Sequence, residues 1–308
     1  MEFFEGILIP IIASVAFAIA APIVGCLLAG IDRVLSARMQ GRVGPPLLQP
    51  YYDVRKLLAK ERVSVNTVQG AYVVCALVFA CLAGGIFFSG GNLLMCVFVI
   101  TLSSLFFIIA AYSSRSPYAE LGAAREMLQV MAYEPMVLLF AVAFCMATAV
   151  LPGALGSFPV LGAGSFDVAT VFRLDVPVIA CIWPVFLGMM FILTIKLRKS
   201  PFDLSMSHHA HQELVKGLTT EFSGKTLSLI EIAHWYENVF LLGFVFLFFA
   251  NGTVWGTVIG VVVCLLAYFL EVLIDNSFAR MKWQVAINSA WIVALVLGMI
   301  NLFIVAMV

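Results

Sequence analysis

Charge is what this sequence has least of. Asp, Glu, Lys and Arg together make up 11% of its 308 residues, well under the roughly 25% of an ordinary soluble domain. The charges also cancel, 17 basic against 17 acidic, so no basic excess points to nucleic acid. Hydrophobic residues fill 63% of the chain. The polar faces that a large soluble core would need are missing over whole stretches, which excludes water as the main solvent.

Clustered cysteines are missing too. Cys26, Cys75, Cys81, Cys96, Cys145, Cys181 and Cys264 all lie inside apolar runs, and no two form a C-x-x-C. Iron–sulfur and zinc sites need convergent thiolates or imidazoles. The scatter therefore predicts small apolar fillers and no metal or cluster held by this chain. The acidic start, MEFFEGILIP, has neither the basic region nor the cleavage site of a leader, so none is expected. Internal repeats, low-complexity tracts and a soluble-domain boundary are also lacking. A single transmembrane domain over residues 1–308 is expected.

What is present is a series of apolar runs near the 20 residues a membrane-spanning helix needs. They fall at about 7–31, 70–88, 93–112, 130–150, 177–195, 227–250, 253–274 and from about 285 onward. This predicts an all-α integral membrane protein of about eight transmembrane helices, with both termini on one side. Four polar segments, at about 32–69, 113–129, 196–226 and 275–284, carry 7, 2, 5 and 2 Lys/Arg, or 16 of the 17. The opposite connections are the tight turns 89–92 and Asn251-Gly252 and a Gly/Pro-rich loop at about 151–176, with Arg173 alone. Positive charge marks the cytoplasmic side. The four basic loops are thus expected in the cytoplasm, both termini outside, and the protein in the cytoplasmic membrane as a multi-pass chain. The aromatic residues are expected mostly at lipid-facing and interfacial positions.

The longest polar interruption, Lys196–Gly224, holds three of the four histidines and the acids Asp203, Glu213 and Glu221. The first polar segment is shaped by Gly44-Pro45-Pro46 and Pro50. From Tyr51, apolar residues at 51, 54, 57 and 58 form one stripe, with Asp53, Arg55, Lys56 and Lys60 mostly off it. That pattern predicts an amphipathic surface helix.

Three ordered motifs on the basic side resemble a known family. They are Gly41-x-x-Gly44-Pro45 with Leu48-Gln49-Pro50, Asp53, Lys56-Leu57 and Lys60-Glu61; Ser116-Pro117-Tyr118-Ala119-Glu120-Leu121-Gly122 with Arg125, Gln129 and Tyr133-Glu134; and Ser200-Pro201-Phe202-Asp203 with Glu213-Leu214-Val215, Gly217 and Thr220-Glu221-Phe222-Ser223-Gly224. Together they look like the ND1-like family of respiratory complex I membrane proteins and its hydrogenase relatives. The form His208-His209-Ala210-His211-Gln212-Glu213-Leu214-Val215 is similar to the membrane-bound, energy-converting [NiFe] hydrogenases, including the carbon-monoxide-linked type. The resemblance implies a non-catalytic membrane anchor of a ferredoxin-linked hydrogenase that couples electron transfer to H⁺ or Na⁺ translocation. It implies hydrogenase large and small (iron–sulfur) subunits on the cytoplasmic face, carrying the [NiFe] centre and iron–sulfur clusters, and antiporter-like membrane subunits within the lipid bilayer. Docking is then expected at Arg42, Gly44, Pro45, Gln49, Pro50, Asp53, Lys56, Pro201, Asp203, His208, His209 and His211.

Ionisable groups inside a span are costly and point to function. Glu134 lies just inside the fourth run, before Pro135, which frees a backbone carbonyl. Glu231, His234 and Glu237 lie in the sixth run, with Glu231 and His234 on one helix face. With Glu120, Glu126, Glu213 and Glu221, these acids are the candidate ion pathway, since acids gathered in low dielectric tend to hold protons. The plainer alternative pairs each acid with a nearby base: Asp53 with Arg55 or Lys56, and Asp275 with Arg280 or Lys282. Two other functions are compatible with these residues. One is the quinone-site subunit of a respiratory NADH dehydrogenase; the other is a stand-alone ion transporter, against which the missing inverted repeats count.

Overall fold

The computed structural model describes residues 2–61, 66–151, 164–199, 202, 216–279 and 281–307. Their α-helices are α1 (Glu2–Met39), α2 (Gln49–Ala59), α3 (Thr67–Phe88), α4 (Leu93–Tyr112), α5 (Pro117–Val150), α6 (Ile179–Lys196), α7 (Gly224–Phe249), α8 (Val254–Ser277) and α9 (Trp283–Met307). Eight of them, all but α2, are long and apolar enough to cross a membrane. Among the described residues there is an isolated bridge, Asn92 with Asp167, but no strand.

Two helices run further than the hydropathy pattern suggests. The first continues through Asp32 and Arg33 to Met39, because nothing from Val34 to Arg38 disfavours helix. It stops at Gly41, whose φ of +71° is left-handed; the Gly41 and Arg42 N–H groups donate to the carbonyls of Arg38 and Ala37 at 3.0 and 2.8 Å. Likewise the segment expected as a polar loop at 113–129 is helical from Pro117 on, with Ser116 preceding and proline in the first helical position. Its buried residues Ala119, Gly122, Ala123, Glu126 and Val130 recur at helical spacing. A hydropathy average hides that period beneath the charges of the opposite face.

The amphipathic α2 forms as the stripe suggests, with Pro50 in its first turn. Val54 packs on Cys26 of α1 and Trp235 of α7, whereas Tyr51 and Leu58 are exposed. The stripe is thus split between the bundle and the surroundings. The chain reaches α2 by lying directly on α1. A Cβ added to Gly30 would collide with the Leu47 carbonyl oxygen, so no larger residue fits that crossing.

Helices α6 and α7 are central, each with 61% of its apolar window buried, against 28% for α1 and α8 and 22% for α9. Residues Phe240, Phe244 and Phe248 share one face of α7 and are fully buried. They meet Phe87 of α3 and Phe140 of α5, with ring centroids 5.4 Å apart for Phe87–Phe240 and 4.7 Å for Phe140–Phe248. Many phenylalanines therefore build the core instead of facing lipid. With little hydrophobic driving force between helices in a membrane, ring packing of about 0.5–1.5 kcal/mol per pair is a large share of what holds the centre together. One turn before this stack, polar groups begin.

A candidate functional site of buried ion pairs

The site is organised by the last turn of α6 and the residues after it, Lys196-Leu197-Arg198-Lys199. The helix unwinds here, and Arg198 takes a left-handed φ of +54°. That conformation costs a non-glycine residue about 1–2 kcal/mol, so surrounding contacts must hold it. The reversal sends neighbouring cations in different directions.

Lys196 points between α5 and α7. Its Nζ lies 3.1 Å from Glu237 Oε1 and 4.4 Å from the centre of the Tyr133 ring. The Lys196 side chain is 5% exposed. Arg198 forks: Nη2 donates to Glu126 Oε1 at 2.9 Å, and Nη1 lies 2.9 Å from His234 Nε2. A guanidinium has no acceptor, so His234 accepts through Nε2 and is neutral in this arrangement. The Arg198 head also sits 5.4 Å from the Phe107 ring centre. Lys199 turns the other way, to Asp32 of α1 at 2.5 Å and Asp275 of α8 at 3.3 Å.

Isolated charges in an apolar interior are prohibitively costly, and pairing with full hydrogen bonding is what makes them tolerable. The alternation of sign answers that cost directly. A small cavity adjoins the site, lined by Ala76 and Ala80 of α3, Ser103, Ser104 and Phe107 of α4, and Arg198, His234 and Glu237. It offers about 20 Å³ for water centres, enough for about one molecule.

The structure brings together some of the anticipated acids and separates others. Glu126 is buried and Glu237 half-buried, each held by its own cation rather than against another acid. Their convergence is thus a cation-interleaved chain, not a carboxylate cluster. Glu231 and Glu134 are half-buried, Glu221 is half-buried in the turn before α7, and Glu120 is exposed. Glu134 makes no ion pair among the described residues and stands apart from the Lys196 and Arg198 contacts. Residues Glu213, Pro201, Asp203, His208, His209 and His211 lie outside the described residues.

In the first loop, Asp53 accepts from Arg33 of α1 at 2.6 Å and from Gln49 at 2.9 Å. It does not pair with its neighbours Arg55 or Lys56 as expected, because α1 extends far enough to present Arg33. Lys56 is exposed, Pro50 is buried, Pro45 is half-buried, Gly44 lies against Val34, and Arg42 bonds Gln40. Asp275 reaches across to Lys199 of a distant segment.

The sequence by itself gives no role to Lys196, Arg198, Lys199 or Tyr133. A usable signal exists. Acids buried on α5 and α7 require cations, and the Lys-x-Arg-Lys run closing an apolar helix is the nearest source. Among the described residues, no three His, Cys, Asp or Glu side chains gather as a metal would require.

These features define a multi-pass helical membrane protein whose interior carries a chain of paired charges. It belongs to the NADH dehydrogenase family, whose model matches residues 11–306. Among curated relatives it is similar to formate hydrogenlyase subunit 4 of Escherichia coli (strain K12), 26% identical over 93% of this chain and 94% of that one. It is also similar to hydrogenase-4 component C of the same organism, 25% identical over 90% and 92%. In fold it resembles a chain of the membrane-bound sulfane sulfur reductase, an archaeal respiratory membrane complex. There the TM-score is 0.78, with 20% identity over 95% of this chain and 99% of the other. The family anticipated from the loop motifs is therefore the right one, and hydrogenase subunits are among its members similar to this chain.

Proposed function

We propose that this protein is the membrane anchor and ion-coupling subunit of a multisubunit, ferredoxin-linked [NiFe] hydrogenase. It turns electron transfer in a peripheral arm into H⁺ or Na⁺ translocation. The observation that carries the reading is the buried chain in which Arg198 pairs with Glu126 and hydrogen-bonds His234, with the Lys196–Glu237 ion pair beside it. Buried charges on three helices change protonation or pairing together, and that is the property a coupling element needs. The relatives named as hydrogenase and formate hydrogenlyase subunits support the branch.

In this reading the basic loops face the cytoplasm and receive the hydrogenase large and small subunits. Those partners hold the [NiFe] centre and the iron–sulfur clusters, since this chain's seven cysteines are all unpaired thiols scattered over six helices. Antiporter-like membrane subunits complete the ion path. A redox-linked change at the loops 37–61 and 200–224 alters the Arg198 and Lys196 contacts, and the charge change passes along α7.

The family name supports a second reading, a quinone-site subunit of a respiratory NADH dehydrogenase. Mild-detergent capture of the tagged subunit, followed by metal analysis and mass spectrometry, separates the two. Nickel, iron and a hydrogenase large subunit are expected. A flavin subunit with bound quinone and no nickel would overturn the hydrogenase assignment. Ion flux through the purified chain alone would instead make it a stand-alone transporter.

A further inference from the structure

On the far side of α6 from the Glu126–Glu237 chain lies a second set of polar groups, between α1, α6 and α8. Its deepest member is Glu271 of α8, which is 0% exposed. One carboxyl oxygen, Oε1, lies 3.3 Å from the Thr194 hydroxyl; the other, Oε2, has no partner. The same hydroxyl also lies 3.3 Å from the Met190 carbonyl oxygen. It has one proton for two acceptors. When it serves the carbonyl, the usual bond of a helical threonine, Glu271 is satisfied only if it brings a proton of its own.

From Glu271 a polar ladder leads outward along the facing sides of α1 and α8. One turn on along α8 is Asp275, and Lys199 Nζ bridges Asp275 to Asp32. One turn further along α1, the Ser36 hydroxyl accepts from Asn276 Nδ2 at 3.0 Å. A turn beyond that, Gln40 Nε2 donates to Asn276 Oδ1 at 3.0 Å, and Gln40 is exposed. Residues Asp32, Ser36 and Gln40 are spaced i, i+4, i+8 and so share a helix face.

We propose that this ladder is a proton-exchange route, with Glu271 as its buried loading site. The ligand is a proton and not a metal cation, because the Lys199 ammonium already occupies the space between Asp32 and Asp275. Among the described residues, no three His, Cys, Asp or Glu side chains gather there as a metal's coordination shell would need. Release of the proton leaves Glu271 as a carboxylate facing Lys199. The proton passes to Asp275 or Asp32, then by the Ser36 hydroxyl and water to the surface at Gln40. Uptake reverses the steps, and no electron moves. The charged and titratable groups facing the site are Asp32 from α1, Lys199 from the end of α6, and Tyr268 and Asp275 from α8. Tyr268 donates to the Leu28 carbonyl at 3.1 Å and closes the ladder's inner end. The proposal does not depend on which peripheral partner the protein carries.

The test is infrared spectroscopy of the full chain in lipid nanodiscs, with ¹³C-glutamate labelling. A carboxylic-acid C=O band that shifts with the label is expected at neutral pH, lost in Glu271→Gln and moved in Thr194→Val. In D₂O the band should exchange, and Asn276→Leu should slow exchange roughly tenfold, as for a barrier raised by about one hydrogen bond. Should Glu271→Gln fail to fold, the Thr194→Val shift still assigns the band. The absence of any protonated glutamate, a band indifferent to both substitutions, or exchange unchanged by Asn276→Leu would each overturn the route. So would loss of the band when sodium chloride replaces choline chloride, which would make the pocket a cation site.

Discussion

Lys196 Nζ sits 3.1 Å from Glu237 Oε1, one turn of α7 before the fully buried Phe240. This ion pair thus lies next to the aromatic core. Counted along α7 from Gly224, Glu237 lies about 20 Å into the helix, and the Lys196 side chain that meets it is 5% exposed. Removing one member leaves the other charge stranded.

The first prediction concerns that pair. Glu237→Gln should lower the stability of the purified chain by about 3–5 kcal/mol, and Lys196→Met should do the same. The double variant Lys196→Met/Glu237→Gln should recover most of the loss, because no unpaired charge remains. Ion translocation by membrane vesicles should be lost in all three. Additive destabilisation in the double variant would show that the two side chains do not depend on each other.

Arg198 offers a second contrast, since it holds Glu126 and His234 from one head group. Arg198→Lys keeps the charge but loses the planar fork, so it can serve one partner well and the other poorly. Coupled ion translocation is expected to fall while the variant still assembles into membranes at normal abundance. Wild-type coupling in Arg198→Lys would mean that the guanidinium geometry is unimportant there.

Glu134 is the matched control. It is half-buried and makes no ion pair among the described residues, so Glu134→Gln strands no partner charge and should not destabilise the chain as Glu237→Gln does. If it belongs to the ion path, pumping slows without loss of assembly. Unchanged pumping would confine the path to the Arg198 and Lys196 side of α5.

How much of this was legible beforehand differs between the fold and the site. Span number and loop positions follow from hydropathy, because a membrane tolerates few alternatives to an apolar helix. Where α1 and α5 pass beyond the apolar runs, as at Asp32–Met39 and Pro117–Gln129, composition is silent and only helical period speaks. The acids Glu126 and Glu237 stand out because charge is rare. Their partners do not, for a physical reason. The left-handed turn at Arg198 decides which way Lys196, Arg198 and Lys199 face, and a run of adjacent cations looks the same whichever way it turns. The Arg33–Asp53 contact is invisible for a related reason: it requires α1 to continue past its apolar run.

The loop before α2 yields a stability prediction with an internal control. Gly30→Ala would push a methyl group into the Leu47 carbonyl, and backbone must move to admit it. A loss of about 1–3 kcal/mol is expected, with faster proteolysis between residues 40 and 48. Gly41→Ala meets no atom within 4 Å and bears only its φ of +71°, a cost of about 1–2 kcal/mol, and the loop should stay seated. Equal protease sensitivity in the two variants would mean that contact with α1 does not seat the loop.

The Arg33–Asp53 pair separates stability from docking. Its side chains are 29% and 39% exposed, a setting in which an ion pair is worth about 0–1 kcal/mol and is weakened by salt. Asp53→Asn should therefore barely change the melting temperature of the isolated chain. The pair nonetheless fixes the start of α2 to α1, at the face where the peripheral subunits are proposed to bind. Capture of those subunits from solubilised membranes should fall in Asp53→Asn, and more steeply as salt is raised. A large drop in melting temperature with intact capture would reverse the assignment: Asp53 would then hold the chain together, and the docking surface would lie elsewhere on the loop.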